Sequence, residues 1–171
     1  MLDFEEYVEK AWRTANTNQP HGQALAIWAL GLEGESIEYL EIMPTADRCK
    51  SIKELGDVMW YVAAIYKQIN LNTPVLDAPS NQNTDASVKT LVLAAKDTGE
   101  LIKKHVGHGH ELDRLTISKA LQRVVQCVGE AAKSHGSSLE EVMQRNVEKL
   151  ETRYKQGVFT SKESIDRAEG C

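Results

Sequence analysis

The chain has 171 residues with 42% hydrophobic and 26% charged side chains, the balance of one soluble globular domain rather than a disordered or multidomain chain. A net charge of −5 excludes a broad basic footprint for a nucleic-acid backbone, so no nucleic-acid partner is expected. No apolar run exceeds nine residues, far short of the ~20 that a membrane-spanning helix needs. The acidic start, Met1-Leu-Asp-Phe-Glu-Glu6, lacks the basic and apolar stretches of a signal peptide. Cys49, Cys127 and Cys171 are few and scattered, which reads as free thiols in a reducing, cytoplasmic compartment.

In chain order the sequence predicts an all-α protein, an antiparallel bundle of five to six helices. The first helix spans about Asp3 to Ala15, with Phe4, Tyr7, Val8 and Ala11 on one side. The second runs from about Gly22 to Met43 and stops before Pro44. The third starts at Thr45 or Asp47 and runs to Asn70. The segment Leu71 to Asp85 carries two prolines and many Asn, Ser, Thr and Asp residues, the composition of a loop. A fourth helix covers about Ala86 to Val106 and ends at Gly107-His108-Gly109. The fifth covers Leu112 to His135 and is closed by Gly136. Ser137 or Ser138 caps the sixth, which carries Glu140 and Glu141 in its first turn and extends to about Tyr154. Little of the chain alternates with period two, so no sheet is expected. Residues 1–155 form the helical domain, and the polar stretch 156–171 reads as a C-terminal tail.

Two hairpins have similar sequences. Gly31 to Leu40 can be laid on Leu93 to Ile102, and Ile52 to Val58 on Ser118 to Val124. The first copy keeps four carboxylates. The second keeps two and places Ala120 and Arg123 where the other acids would stand.

Those four carboxylates are Glu35, Glu38, Glu54 and Asp57. Each pair is spaced i, i+3 and shares one helix face. Fifteen residues between Glu38 and Glu54 leave room for a turn at Pro44, so the two faces can oppose each other. Leu25, Trp28, Leu32, Glu35 and Tyr39 follow a 3-4-3-4 stripe that points inward, with Glu35 in its middle. Val58 to Tyr66 is apolar without a break, the mark of a helix buried on every side. Four acids in such a groove repel and are costly to desolvate, and a hard, oxygen-seeking divalent cation relieves both. By contrast Glu5, Glu6 and Glu9 read as a solvated face. A di-iron bundle needs Glu-x-x-His, and no Glu in this chain has a His three residues later. His105, His108 and His110 form a His-x-x-His-x-His loop that reads as solvated, and Trp12, Trp28 and Trp60 read as core before nucleobase platforms. No phosphate-binding glycine loop is present.

Gly31-Leu-Glu-Gly-Glu35-Ser-Ile-Glu38 followed by Lys53-Glu-Leu-Gly-Asp57-Val-Met-Trp-Tyr61 resembles the MazG-like nucleoside triphosphate pyrophosphohydrolases, an all-α family with Glu-x-x-Glu, a spacer and Glu-x-x-Asp. Asn146-Val-Glu-Lys149-Leu150, then Arg153-Tyr154-x-x-Gly157-x-Phe159 with Ser164 and Arg167, matches a third element. The resemblance covers about residues 20–70 and 138–167 and departs at Gly34, where many members carry another acid.

The resemblance implies hydrolysis of a (deoxy)nucleoside triphosphate to its monophosphate and pyrophosphate. It maps the metal ligands and catalytic acids onto Glu35, Glu38, Glu54 and Asp57, holding two to three Mg²⁺ ions, with Mn²⁺ as substitute. It puts the substrate contacts at Lys53, Asn146, Lys149, Arg153, Tyr154 and Arg167. Variants of the same chemistry are a dUTP or dCTP pyrophosphatase, a MazZ-type dGTP enzyme and a phosphoribosyl-ATP pyrophosphohydrolase. A non-catalytic helical interaction module is the alternative of another class, and there degenerate motifs would be expected. A homo-oligomer, dimer or tetramer, is expected because the apolar third helix has more faces than one antiparallel partner covers.

Overall fold

A computed structural model describes residues 2–71 and 88–166. Their regular structure is all helical, with no strand among them. The helices are α1 (Phe4–Trp12), α2 (His21–Ile42), α3 (Arg48–Gln68), α4 (Val88–His108), α5 (Arg114–Ser134), α6 (Leu139–Arg153) and a short α7 (Ser161–Ile165), with a 3₁₀ turn at Met43–Thr45. Six are the helices that periodicity predicts. The seventh falls in the segment read as tail. The predicted loop lies, from residue 72 on, outside the described residues.

Local chemistry explains the boundaries. Asp3 and Glu6 form a reciprocal capping box on α1. Asp47 caps α3 by accepting from the Lys50 amide at 3.1 Å, Asp113 caps α5 from Thr116 at 3.0 Å, and Ser138 caps α6 from Glu141 at 3.2 Å. Gly109 and Gly136, at φ 69° and 65°, leave α4 and α5 through the left-handed region open to glycine.

The two similar hairpins pack on each other. α2 lies against α3 and α4, α4 pairs with α5, and α5 closes on α3, giving a four-helix core. α1 and α6 cover the remaining side of α3. Ile52, Leu55, Val58, Met59, Val62, Ala63 and Ile65 are therefore all buried within one chain. Most of the apolar surface of α3 is covered by α1, α2, α5 and α6 of the same chain, with Trp60 and Tyr61 half-buried. The predicted inward stripe of α2 is buried too: Leu25, Trp28, Leu32 and Tyr39 are each at most 4% exposed. Ile27, Leu30 and Ile37 face outward.

Cys127 is buried, and Cys49 is disulfide-bonded. The reading of three free thiols is thereby corrected, and cysteine usage carries no argument for a reducing compartment. No helix among the described residues is long and apolar enough to cross a membrane.

At Gly31 of α2 the Tyr61 ring of α3 packs directly over the helix backbone, beside the cleft described below. A Cβ there would lie 2.1 Å from the Tyr61 ring, whereas one at Gly34 would meet nothing within 4 Å. Gly31→Ala is expected to lower the melting temperature by several degrees, since overpacking costs about 1–3 kcal/mol. Gly34→Ala is expected to raise it by about 2–4 °C through helix propensity alone. Paired thermal melts followed by circular dichroism check both.

Candidate functional site

α2 and α3 place the acids as their i, i+3 spacing requires. Glu35, Glu38 and Glu54 each bring a carboxylate oxygen within 4.8 Å of the others, the one such acidic group found among the described residues. Glu54 is buried, Glu35 half-buried and Glu38 exposed, so the group is open to solvent on one side. Lys53 donates to Glu54 Oε1 at 3.1 Å, while Glu54 Oε2 is buried with no hydrogen-bond partner. A buried carboxylate oxygen in that condition is costly unless something else supplies positive charge.

Asp57 stands beside this group rather than within it. Both its oxygens accept from Lys149 Nζ of α6, at 2.7 and 2.5 Å, and Oδ1 also accepts from Asn146 Nδ2 at 3.3 Å. Lys53 Nζ is 3.7 Å from Asp57 Oδ2. The expected convergence of four equivalent carboxylates thus becomes three clustered acids and a fourth clamped to a lysine. Asn146 is buried because Gly56 leaves room: a Cβ on Gly56 would sit 3.1 Å from that of Asn146. The Asn146 carbonyl accepts from Tyr7 Oη at 2.9 Å, which ties α1 into the same network. Burial, and then the charge of Asp57, push the Tyr7 phenol upward, so it stays a proton donor.

Glu35 feels this environment most. Burial, then Asp57, Glu38 and Glu54, push its carboxyl up to about 8, with Lys149 opposing. Glu35 therefore holds a proton at neutral pH unless a cation takes its place.

A cleft of about 250 Å³ starts at Glu35 and Asp57. Trp28, Trp60, Tyr61, Tyr154 and Phe159 supply aromatic walls, and Arg153 and Ser164 also line it. Trp60 packs edge-on to both Trp28 and Tyr61 and donates its Nε1–H to Thr14 Oγ1 at 2.9 Å. Phe159 is held there by its amide, which donates to the Arg13 carbonyl at 3.2 Å. The stretch read as tail thus forms part of the cleft wall.

Of the sequence-predicted contacts, Lys53, Asn146 and Lys149 surround the acids, Arg153 and Tyr154 line the cleft, and Arg167 lies outside the described residues. Sequence reasoning missed Thr14, Asn16 and Gln19, which line the cleft from the connection between α1 and α2. The only signal there was a polar run before Pro20, which any connector could carry. Tyr7 was read only as an apolar-face residue of the first helix, because its hydroxyl finds its partner 139 positions away.

The other readings resolve simply. His105 Nδ1 bonds the His110 carbonyl at 2.8 Å on an exposed turn, and the three histidines form no metal-binding group there. In the second hairpin Glu100 pairs with Lys103, Asp97 with Lys96, and Arg123 is exposed, so no second acidic group arises among the described residues.

Compared with known proteins, the chain matches no family model, no curated protein and no solved structure.

A folded-state carboxyl raised above its unfolded value binds more protons in the native state, so stability declines as pH rises between the two values. Chelator-treated protein is expected to melt at progressively lower temperature from about pH 5 to pH 8, and Glu35→Gln is expected to flatten that slope. Thermal melts across that range read it. A slope unchanged by Glu35→Gln would refute the assignment.

Proposed function

We propose that this chain is a metal-dependent nucleoside triphosphate pyrophosphohydrolase that cleaves a (deoxy)nucleoside triphosphate between its α and β phosphorus, releasing the monophosphate and pyrophosphate. The observation that carries the reading is the joining of an acidic group to an aromatic cleft: Glu35, Glu38 and Glu54 cluster at one end, and Trp28, Trp60, Tyr61, Tyr154 and Phe159 wall the space beyond. The motif resemblance stated above supports the same chemistry from the sequence side.

The residues fit a hard divalent cation. The donors are all carboxylate oxygens, the set that suits Mg²⁺, and one of them is a buried oxygen without a partner. Glu35, Glu38 and Glu54 would hold two to three Mg²⁺ ions together with Asp57, with Mn²⁺ as substitute. Bound there, Mg²⁺ supplies charge neutralisation for the triphosphate and acidifies the attacking water.

The chain's own residues do the rest. Glu35, pushed up to about 8, would give its proton to solvent on cation loading, so loading would release about one proton near neutral pH. Lys53 and Lys149 bring ammonium groups to the edge of the acids, where phosphate oxygens need donors. Arg153 stands further along the cleft with a planar, bidentate head. Asn146 holds Asp57 in register through its bond to Tyr7. The aromatic walls accommodate a nucleobase and exclude water from the reacting end. A nucleotide substrate is itself the argument for a cytoplasmic location. A homo-oligomer in this reading covers the outward Ile27, Leu30 and Ile37 of α2.

Purified protein is expected to release pyrophosphate from one or more nucleoside triphosphates only with Mg²⁺ or Mn²⁺, in a panel assay. Glu38→Gln and Asp57→Asn are each expected to lower kcat by at least ~100-fold with an unchanged helical circular-dichroism spectrum. Glu100→Gln, in the second hairpin, is expected to stay within a few-fold of wild type. Full activity in Glu38→Gln, or no pyrophosphate from any nucleotide, would overturn the reading.

A further inference from the structure

The four acids are not treated alike, and the difference lies with one lysine. Lys149 reaches from α6 across to α3 and places its ammonium on both Asp57 oxygens, at 2.7 and 2.5 Å, with both side chains only 17% exposed. A two-oxygen grip by a compact point charge is the contact that a small cation makes with a bidentate carboxylate. Meanwhile Glu54 Oε2, on the same helix face one turn away, has no partner. Asp57 is therefore saturated beside a group of acids that is short of positive charge.

Nothing in the packing requires this grip. α6 is already tied to the core by buried Val142, Met143, Val147 and Leu150, and Asn146 links Asp57 to Tyr7 without any charge. The lysine stem is flexible, and holding it in one geometry costs rotamer entropy. An ammonium and a divalent cation cannot both sit on one carboxylate at these distances without strong repulsion.

We propose that Lys149 is a built-in competitor for the divalent cation, occupying Asp57 until a cation replaces it and thereby freeing its ammonium for substrate phosphate. This rests on the metal-dependent reading above. Lys149 then has two positions in one cycle, and the same ammonium that stabilises the acids before loading serves the phosphate afterwards. Lys53 also faces these acids, hydrogen-bonding Glu54 Oε1 at 3.1 Å and standing 3.7 Å from Asp57 Oδ2, beyond hydrogen-bond distance. It is the less direct competitor.

Mn²⁺ titration of the chelator-treated full chain, read by calorimetry and by the electron paramagnetic resonance of free Mn²⁺, separates the outcomes. Lys149→Gln is expected to bind Mn²⁺ about tenfold more tightly than wild type, because a competing unit charge a few ångströms away has been removed. Lys149→Arg keeps the charge and is expected to stay within about threefold of wild type. The melting temperature of Lys149→Gln is expected to fall in chelator and to recover further than that of wild type on Mn²⁺ addition. If Lys149→Gln is unfolded in chelator, recovery of the native circular-dichroism spectrum with Mn²⁺ is the supporting result, and failure to recover overturns the proposal. Equal or weaker Mn²⁺ binding by Lys149→Gln also overturns it. A wild-type protein that binds no Mn²⁺ overturns instead the metal-dependent reading on which it rests.

Discussion

Glu35, Glu38 and Glu54 hold carboxylate oxygens within 4.8 Å of one another in a partly buried groove, and that repulsion organises the rest of the site. Two unit charges at this separation repel by about 3 kcal/mol at an effective dielectric of 20. Two features relieve it. Burial and the neighbouring acids push the Glu35 carboxyl up to about 8, which favours its neutral form, and a pair of lysines, Lys53 and Lys149, is set against Glu54 and Asp57. Neither relief reaches Glu54 Oε2, which stays buried and without a partner. The acids are thus a strained arrangement inside an otherwise well-satisfied bundle, the pattern expected where function sets the residue choice and packing does not.

The bundle tolerates this strain because its core lies elsewhere. α3 carries Glu54 and Asp57 on one face and an unbroken apolar surface from Val58 onward, most of it covered by α1, α2, α5 and α6 of the same chain, with Trp60 and Tyr61 facing the cleft. The second hairpin packs against the first without repeating its acids. α4 and α5 lie against α2 and α3, while Arg123 faces solvent and Glu100 pairs with a lysine of its own helix. The clustered acids thus belong to one hairpin, and the other helps to bury its apolar faces.

The cleft is assembled from pieces far apart in sequence. Thr14, Asn16 and Gln19 come from the α1–α2 connection, Trp28 from α2, Trp60 and Tyr61 from α3, and Tyr154, Phe159 and Ser164 from the C-terminal end. Phe159 reaches it through a single backbone bond to Arg13, and Trp60 is oriented by Thr14. The entrance to the acids thereby depends on both ends of the chain, and Gly31 decides how closely the Tyr61 ring can approach α2.

Six of the seven helices, several of their caps, the buried stripe of α2 and the two carboxylate pairs were legible from residue spacing. Those properties depend on neighbours within four positions, through capping, periodicity and the i, i+3 face. Spacing could not reveal that Asp57 would be gripped by Lys149, 92 positions away, or that the Asn146 amide would bridge Asp57 and Tyr7. It could not tell core from cleft for Trp28 and Trp60, since aromatic residues at helical intervals suit either. It could not decide whether the further faces of α3 are covered within one chain, where α1, α5 and α6 pack. The sequence by itself determined an all-α chain with two opposed acidic pairs, because local hydrogen bonding and helical period act along the chain. Only the tertiary structure decided which acids share a site, which is clamped and what walls the cleft, because charge pairing and burial act through space between helices brought together by folding.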